Sequence, residues 1–137
     1  MSKDYNGREK LITHSNPRSP VAEAYRQLRT NIQFSSLDNP LKTLLVTSTI
    51  PDEGKSTTLA NLAITIAQTG QSVILVDCDL RRPSLDQIFG VSNSKGLTSL
   101  VIDNTIKDVP FQDTGIANLC VLPSGPLPLT HRSCWVR

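Results

Sequence analysis

Gly54, Lys55, Ser56 and Thr57 place a pivot glycine, a cation and two hydroxyls in succession, the residue types that hold a polyphosphate and its divalent ion. They close the segment Thr49-Ile50-Pro51-Asp52-Glu53-Gly54-Lys55-Ser56-Thr57, which follows an apolar, β-branched run and precedes a helical pattern. A phosphate loop requires that setting, because successive backbone N–H groups and a helix N-terminus then converge on negative charge. Lys55 is the natural contact for β- and γ-phosphates. Ser56 would give Mg²⁺ a hydroxyl ligand within a shell otherwise made of phosphate oxygens and water. The usual G-x-x-x-x-G-K-[ST] pattern is met only in part, since Thr49 stands where its first glycine belongs. The four residues 54–57 alone would suit an ordinary helix start equally well; the flanking strand and helix decide for nucleotide.

A second constellation is Val76-Asp77-Cys78-Asp79-Leu80-Arg81-Arg82-Pro83. Carboxylates at i and i+2 where a parallel strand ends lie over the carboxyl edge of the sheet, the rim that also carries a phosphate loop. Two acids there orient Mg²⁺ or its waters, and one can accept a proton from an attacking hydroxyl. Asp77 and Asp79 are therefore the metal and base candidates. Taken alone, Asp79 would be a turn cap and both acids merely solvated; the loop upstream favours the chemical reading. Arg81 and Arg82 are as well suited to phosphate as to plain surface.

The elements that must position these groups follow from periodicity. Residues 1–18 are polar and aperiodic and are expected to form a flexible arm. Ser19 as N-cap and Pro20 in the first turn start a helix that runs to about Phe34. Residues 41–49 are expected to be a buried strand, 55–69 a helix stopped by Gly70, 73–76 a second buried strand. A short turn-like piece ends near Phe89, a brief helix occupies 96–101, and 118–122 forms a third strand ahead of Pro123-Ser124-Gly125. This alternation predicts an α/β fold, a P-loop NTPase-like doubly wound parallel sheet, incomplete at its C-terminal side.

Length and composition add bounds. One core of ordinary size suits 137 residues with 38% hydrophobic content, and no repeat or low-complexity tract is visible. A net charge of +2 marks neither a nucleic-acid nor a membrane surface. The apolar runs fall far short of the ~20 residues of a membrane helix, so a cytoplasmic chain is expected. The three cysteines lack metal or redox spacing, and Cys78 and Cys120 are taken as reduced strand residues.

Residues 19–32, 51–57 and 74–83, with a weaker match at 122–125, resemble in order the bacterial tyrosine kinases of the CpsD, CapB and Wzc kinase-domain type, regulators of capsule and exopolysaccharide synthesis. The resemblance covers about 17–127. It implies an ATP- and Mg²⁺-dependent protein-tyrosine autokinase. Asp52, Glu53, Gly54, Lys55, Ser56 and Thr57 would bind the cofactor, Ser56, Asp77 and Asp79 the metal, and Lys55, Asp77 and Asp79 would serve catalysis. Glu23, Arg26 and Arg29 resemble the family's E-x-x-R-x-x-R oligomerisation motif. On one side of a helix, such charges can meet a neighbouring subunit or form an intrahelical ion-pair row. The implied partners are further copies of the chain, a membrane adaptor of the polysaccharide co-polymerase type that recruits the kinase to the inner face of the plasma membrane, and a cognate tyrosine phosphatase; nucleic acid is not among them. The family's C-terminal tyrosine cluster and Walker B aspartate have no counterpart here, where the only tyrosines are Tyr5 and Tyr25. Asp86 replaces a histidine usual after the aspartate motif.

Residues 129–137 depart from the family's proline-containing, Glu-Leu-Leu-like continuation. With suitable codons the shifted frame reads Asp-Pro-Ser-Glu-Leu-Leu-Gly, so a frameshift near codon 128 is expected. The organisation is then an arm at 1–18, a partial kinase domain at 19–128 and an aberrant tail at 129–137, whose His131 and Cys134 are not metal ligands. A sheet lacking later strands would leave apolar surface bare and make the fold marginal. Two further readings stand: a partitioning ATPase of the ParA and MinD type, which would carry lysine at the position of Ile50, and a nucleotide-binding or oligomerisation module without kinase activity.

Overall fold

The computed structural model describes residues 5–51 and 53–127. Asp52, the tail at 129–137 and the first four residues of the arm lie outside these, with the expectations attached to them. Helices α1 (Tyr5–Arg8) and α2 (Ile12–Ser15) precede α3 (Pro20–Phe34) and α4 (Lys55–Ala67). Strand β1 (Val73–Val76), helices α5 (Leu85–Phe89) and α6 (Leu97–Ile102), and strands β2 (Gln112–Asp113) and β3 (Leu119–Leu122) follow.

Local chemistry accounts for the helix ends. Ser19 is the N-cap of α3, its hydroxyl accepting from the Ala22 N–H at 3.0 Å, and Pro20 opens the helix with a fixed φ. Helix α4 is buried without a break from Ala60 to Thr65, as expected for a helix apolar nearly all round. Gly70, at φ 91, turns the chain after it.

The sheet is small and mixed, in the order β1-β3-β2. β1 and β3 are parallel, pairing Val73 with Leu119 and Val76 with Leu122, and the ladder extends to the Asp77 N–H on the Leu122 carbonyl. β2 is antiparallel to β3, a strand too short to show a period in sequence. Leu75, Leu119 and Val121 form one face of the sheet. Ala60, Ala63, Ile64 and Ala67 from α4, Leu85, Ile88 and Phe89 from α5, and Leu11 pack on it as a single core.

Four expectations are corrected. Within the supposed arm, residues 5–18 form two docked helices: Leu11 is 2% and Thr13 0% exposed, and α2 lies on α4. One apolar anchor and one buried hydroxyl carry that docking, too few to generate a period. Residues 41–49 form no strand; Leu41, Leu44 and Leu45 are exposed, and the segment has no sheet partner among the described residues. An apolar, β-branched run is a strand only where a ladder and two covering faces exist. β1 is also not buried on both faces, since Ile74 and Val76 are 52% and 38% exposed. Cys78 follows β1 rather than lying in a strand, whereas Cys120 lies in β3; both are free thiols.

Candidate nucleotide site

Gly54 adopts φ 77, ψ 18, the left-handed conformation that glycine takes without strain, and helix α4 starts at the next residue. This turn sets Lys55, Ser56 and Thr57 in the first turn of α4, where unpaired N–H groups and the helix dipole favour an anion. Two cavities adjoin the loop. One of about 370 Å³ is lined by Val46, Thr47, Ser48, Thr49, Glu53, Lys55 and Thr58. The other, of about 260 Å³, takes in Gly54, Lys55, Ser56, Thr57, Asp79 and Arg82.

The two sequence constellations meet here. Lys55 Nζ lies 3.1 Å from Asp79 Oδ2. Burial disfavours the Asp79 anion, but the Arg82 N–H on Oδ1 and the Lys55 ammonium outweigh it and hold this carboxyl below its ordinary range. Asp79 thus stays ionised beside the phosphate loop, able to share Lys55 with a bound phosphate or to orient cation-bound water.

Asp77 is 4% exposed and differently engaged. Its Oδ1 accepts the Asp79 N–H at 3.1 Å; its Oδ2 accepts those of Ser84 at 3.0 Å and Leu85 at 3.1 Å. It ties the end of β1 to the start of α5 and fixes the turn that presents Asp79. Asp77→Asn puts an amide donor against one of these N–H groups and is expected to cost about 2 kcal/mol of stability. Amide hydrogen exchange at Ser84 and Leu85 should accelerate; unchanged protection there would contradict this role.

Asp86, in the first turn of α5, has a buried Oδ1 without a partner among the described residues. Burial pushes its carboxyl above the ordinary value, backbone N–H groups oppose that, and the Asp77 charge adds to it. A raised folded-state value gives stability that is full below the unfolded value and lost as pH rises through the folded one. Asp86→Asn should therefore stabilise the chain at neutral pH and lose that advantage in mild acid, as denaturant titrations at the two pH values would show.

The charged face of α3 is used within the chain. Arg26 pairs with Glu23 at 2.8 Å, an exposed i,i+3 contact. Arg29 Nη1 donates to the Thr65 carbonyl at 2.8 Å in the last turn of α4, where a cation complements the helix dipole. At the sheet rim, the loop after β3 is held by Asn93 Oδ1 accepting the Gly125 N–H at 2.7 Å and by the Thr98 hydroxyl on the Pro126 carbonyl.

Sequence reasoning overlooked Asn61, which is 0% exposed on α4. Its Oδ1 accepts from the Thr13 N–H and hydroxyl, and its Nδ2 donates to the Lys10 carbonyl at 2.8 Å and the Thr57 carbonyl at 2.9 Å. The available signal was an amide between apolar neighbours in a helix buried all round. Among the described residues no three His, Cys, Asp or Glu side chains gather as a cation cage. A Mg²⁺ ion would fit only as Mg²⁺ usually binds beside nucleotides, through Ser56 or Asp79, water and the phosphates themselves. No helix among the described residues is long and apolar enough to cross a membrane.

The family described as ParA, NUBPL iron-transfer P-loop NTPase, matches residues 40–122. The chain is 43% identical over 118 residues to tyrosine-protein kinase YwqD of Bacillus subtilis (strain 168), covering 86% of this chain and 50% of that protein. It is 38% identical over 128 residues to the putative tyrosine-protein kinase CapB of Staphylococcus aureus, covering 93% and 56%. Among solved structures it is similar to the chimerical protein CapA2B2, with a TM-score of 0.82 at 38% identity over 91% of this chain and 57% of that one. The kinase domain of Escherichia coli tyrosine kinase ETK gives a TM-score of 0.80 at 30% identity, over 90% and 49%. The chain spans about half the length of the curated relatives it matches.

Proposed function

This chain belongs to the ParA-type P-loop NTPases and, within them, to the bacterial tyrosine kinase family of YwqD, CapB, CpsD and Wzc, and on that premise we propose that it supplies the ATP-binding part of a protein-tyrosine autokinase acting in capsule or exopolysaccharide synthesis. The observation that carries the proposal is the 3.1 Å approach of Lys55 to Asp79, which joins the phosphate loop to the aspartate turn at one rim.

In this reading the N–H groups of 52–57 and the Lys55 ammonium hold the polyphosphate. Ser56 and Asp79 would hold Mg²⁺, which would supply charge neutralisation at the transferred phosphoryl group. Asp77 is bonded to three backbone N–H groups and serves by fixing Asp79, which leaves Asp79 as the carboxylate that orients the attacking tyrosine hydroxyl. Catalysis is then positioning and charge stabilisation. Glu23 and Arg26, on the exposed side of α3, meet a neighbouring subunit, with Arg29 anchoring that helix to α4. The partners are a membrane adaptor of the polysaccharide co-polymerase type and a cognate tyrosine phosphatase, with the kinase held at the inner face of the plasma membrane.

The ParA-type match leaves a P-loop ATPase without kinase activity as the second reading, although Ile50 stands where the partitioning kind would carry lysine. Incubation with Mg-ATP and a tyrosine-rich acceptor peptide separates the readings. Phosphotyrosine that disappears in Lys55→Met is the expected result. Phosphate release without phosphotyrosine would replace the kinase with the ATPase, and binding without turnover would leave a non-catalytic module.

A further inference from the structure

The segment 5–18 is fixed at two places, against α5 and against α4. At one, α1 meets α5 so closely that a Cβ on Gly7 would overlap the Gln87 carbonyl, which leaves room for glycine alone. At the other, Leu11 enters the core and Asn61 binds three residues at once: Thr13 through its oxygen, and Lys10 and Thr57 through its nitrogen. Because the same Nδ2 holds the Lys10 and Thr57 carbonyls, the backbone at Lys10 is fastened to the first turn of α4.

Lys10 consequently stands on the wall of the 260 Å³ cavity, together with Gly54, Lys55, Ser56 and Asp79. Its residue is exposed, and among the described residues it makes no ion pair. Lys55, by contrast, is already paired with Asp79. A nucleoside polyphosphate brings several negative charges to this cavity, and an ammonium on a flexible four-carbon stem is the cation best able to follow them. We propose that Lys10 is a second phosphate-contacting residue of the nucleotide site, delivered by the N-terminal segment and held in reach by Asn61. The proposal rests on the phosphate-loop reading above.

The test is equilibrium titration of Mg-ADP and Mg-ATP into the full chain and into Lys10→Gln, Lys10→Arg, Glu9→Gln and Lys55→Met, with a thermal melt of each. Lys10→Gln should bind both nucleotides roughly tenfold more weakly, as for a lost charge-assisted hydrogen bond, with its melt unchanged. Lys10→Arg should retain most of the affinity. Glu9→Gln, an exposed neighbour, should bind at least as well as the parent. Equal affinity of Lys10→Gln and the parent would overturn the role of Lys10 while leaving the phosphate loop intact. Failure of the parent itself to bind would instead overturn the site, and this inference with it.

Discussion

Asn61→Ala should lower the stability of the chain by about 3 kcal/mol, the largest loss expected of any single polar substitution among the described residues. The estimate adds a small cavity to several stranded groups, because the Thr13 N–H and hydroxyl and the Lys10 and Thr57 carbonyls each lose a partner in the interior. Fully satisfied, such a network fixes one arrangement of the chain; half satisfied, it is worse than an apolar contact. Asn61→Leu should not rescue the protein, since it fills volume but restores no partner for the Thr13 N–H or the Lys10 carbonyl. Denaturant unfolding of the two variants checks this, and proteolysis should cut within 5–18 sooner in both. A loss below about 1 kcal/mol, the size of an ordinary solvent-replaceable hydrogen bond, would show that the N-terminal segment is not built in as described.

Lys55→Met should reduce affinity for Mg-nucleotide by about a hundredfold or more, in line with removal of a charge-assisted contact from a partly enclosed site. The same substitution removes the cation beside Asp79, so the carboxyl should move back toward its ordinary range. The sign follows from linkage. A lowered carboxyl value contributes stability that is present above the unfolded value and lost as pH falls through the folded one. The parent should therefore lose stability in acid more steeply than Lys55→Met. Competition binding with a fluorescent nucleotide, together with denaturant melts across the acid range, reads both effects. Nucleotide binding undiminished in Lys55→Met would move the phosphate contact elsewhere.

Local chemistry was legible in the sequence wherever a residue type is tied to a backbone need. Gly54 before Lys55, Ser19 before Pro20, and aspartates at the end of an apolar run each marked the position the structure gives them. What depends on distant partners was not. Residues 41–49 have the composition of a strand but no ladder among the described residues, and composition does not disclose a missing neighbour. Thr13 and Asn61 look like solvent-facing polar residues until tertiary packing brings them together. Asp77 and Asp79 are indistinguishable as letters. Only the three N–H groups on one and the ammonium on the other separate the residue that shapes the turn from the one that faces the phosphate loop.

Calorimetric titration of Mg-ADP into the purified chain tests the central claim most directly, because it asks only whether the loop at 52–57 and the turn at 77–79 form a working site. The account predicts a single saturable site per chain, weakened when Mg²⁺ is withheld. Heat that does not saturate, or binding of equal strength to the chain after thermal unfolding, would contradict it.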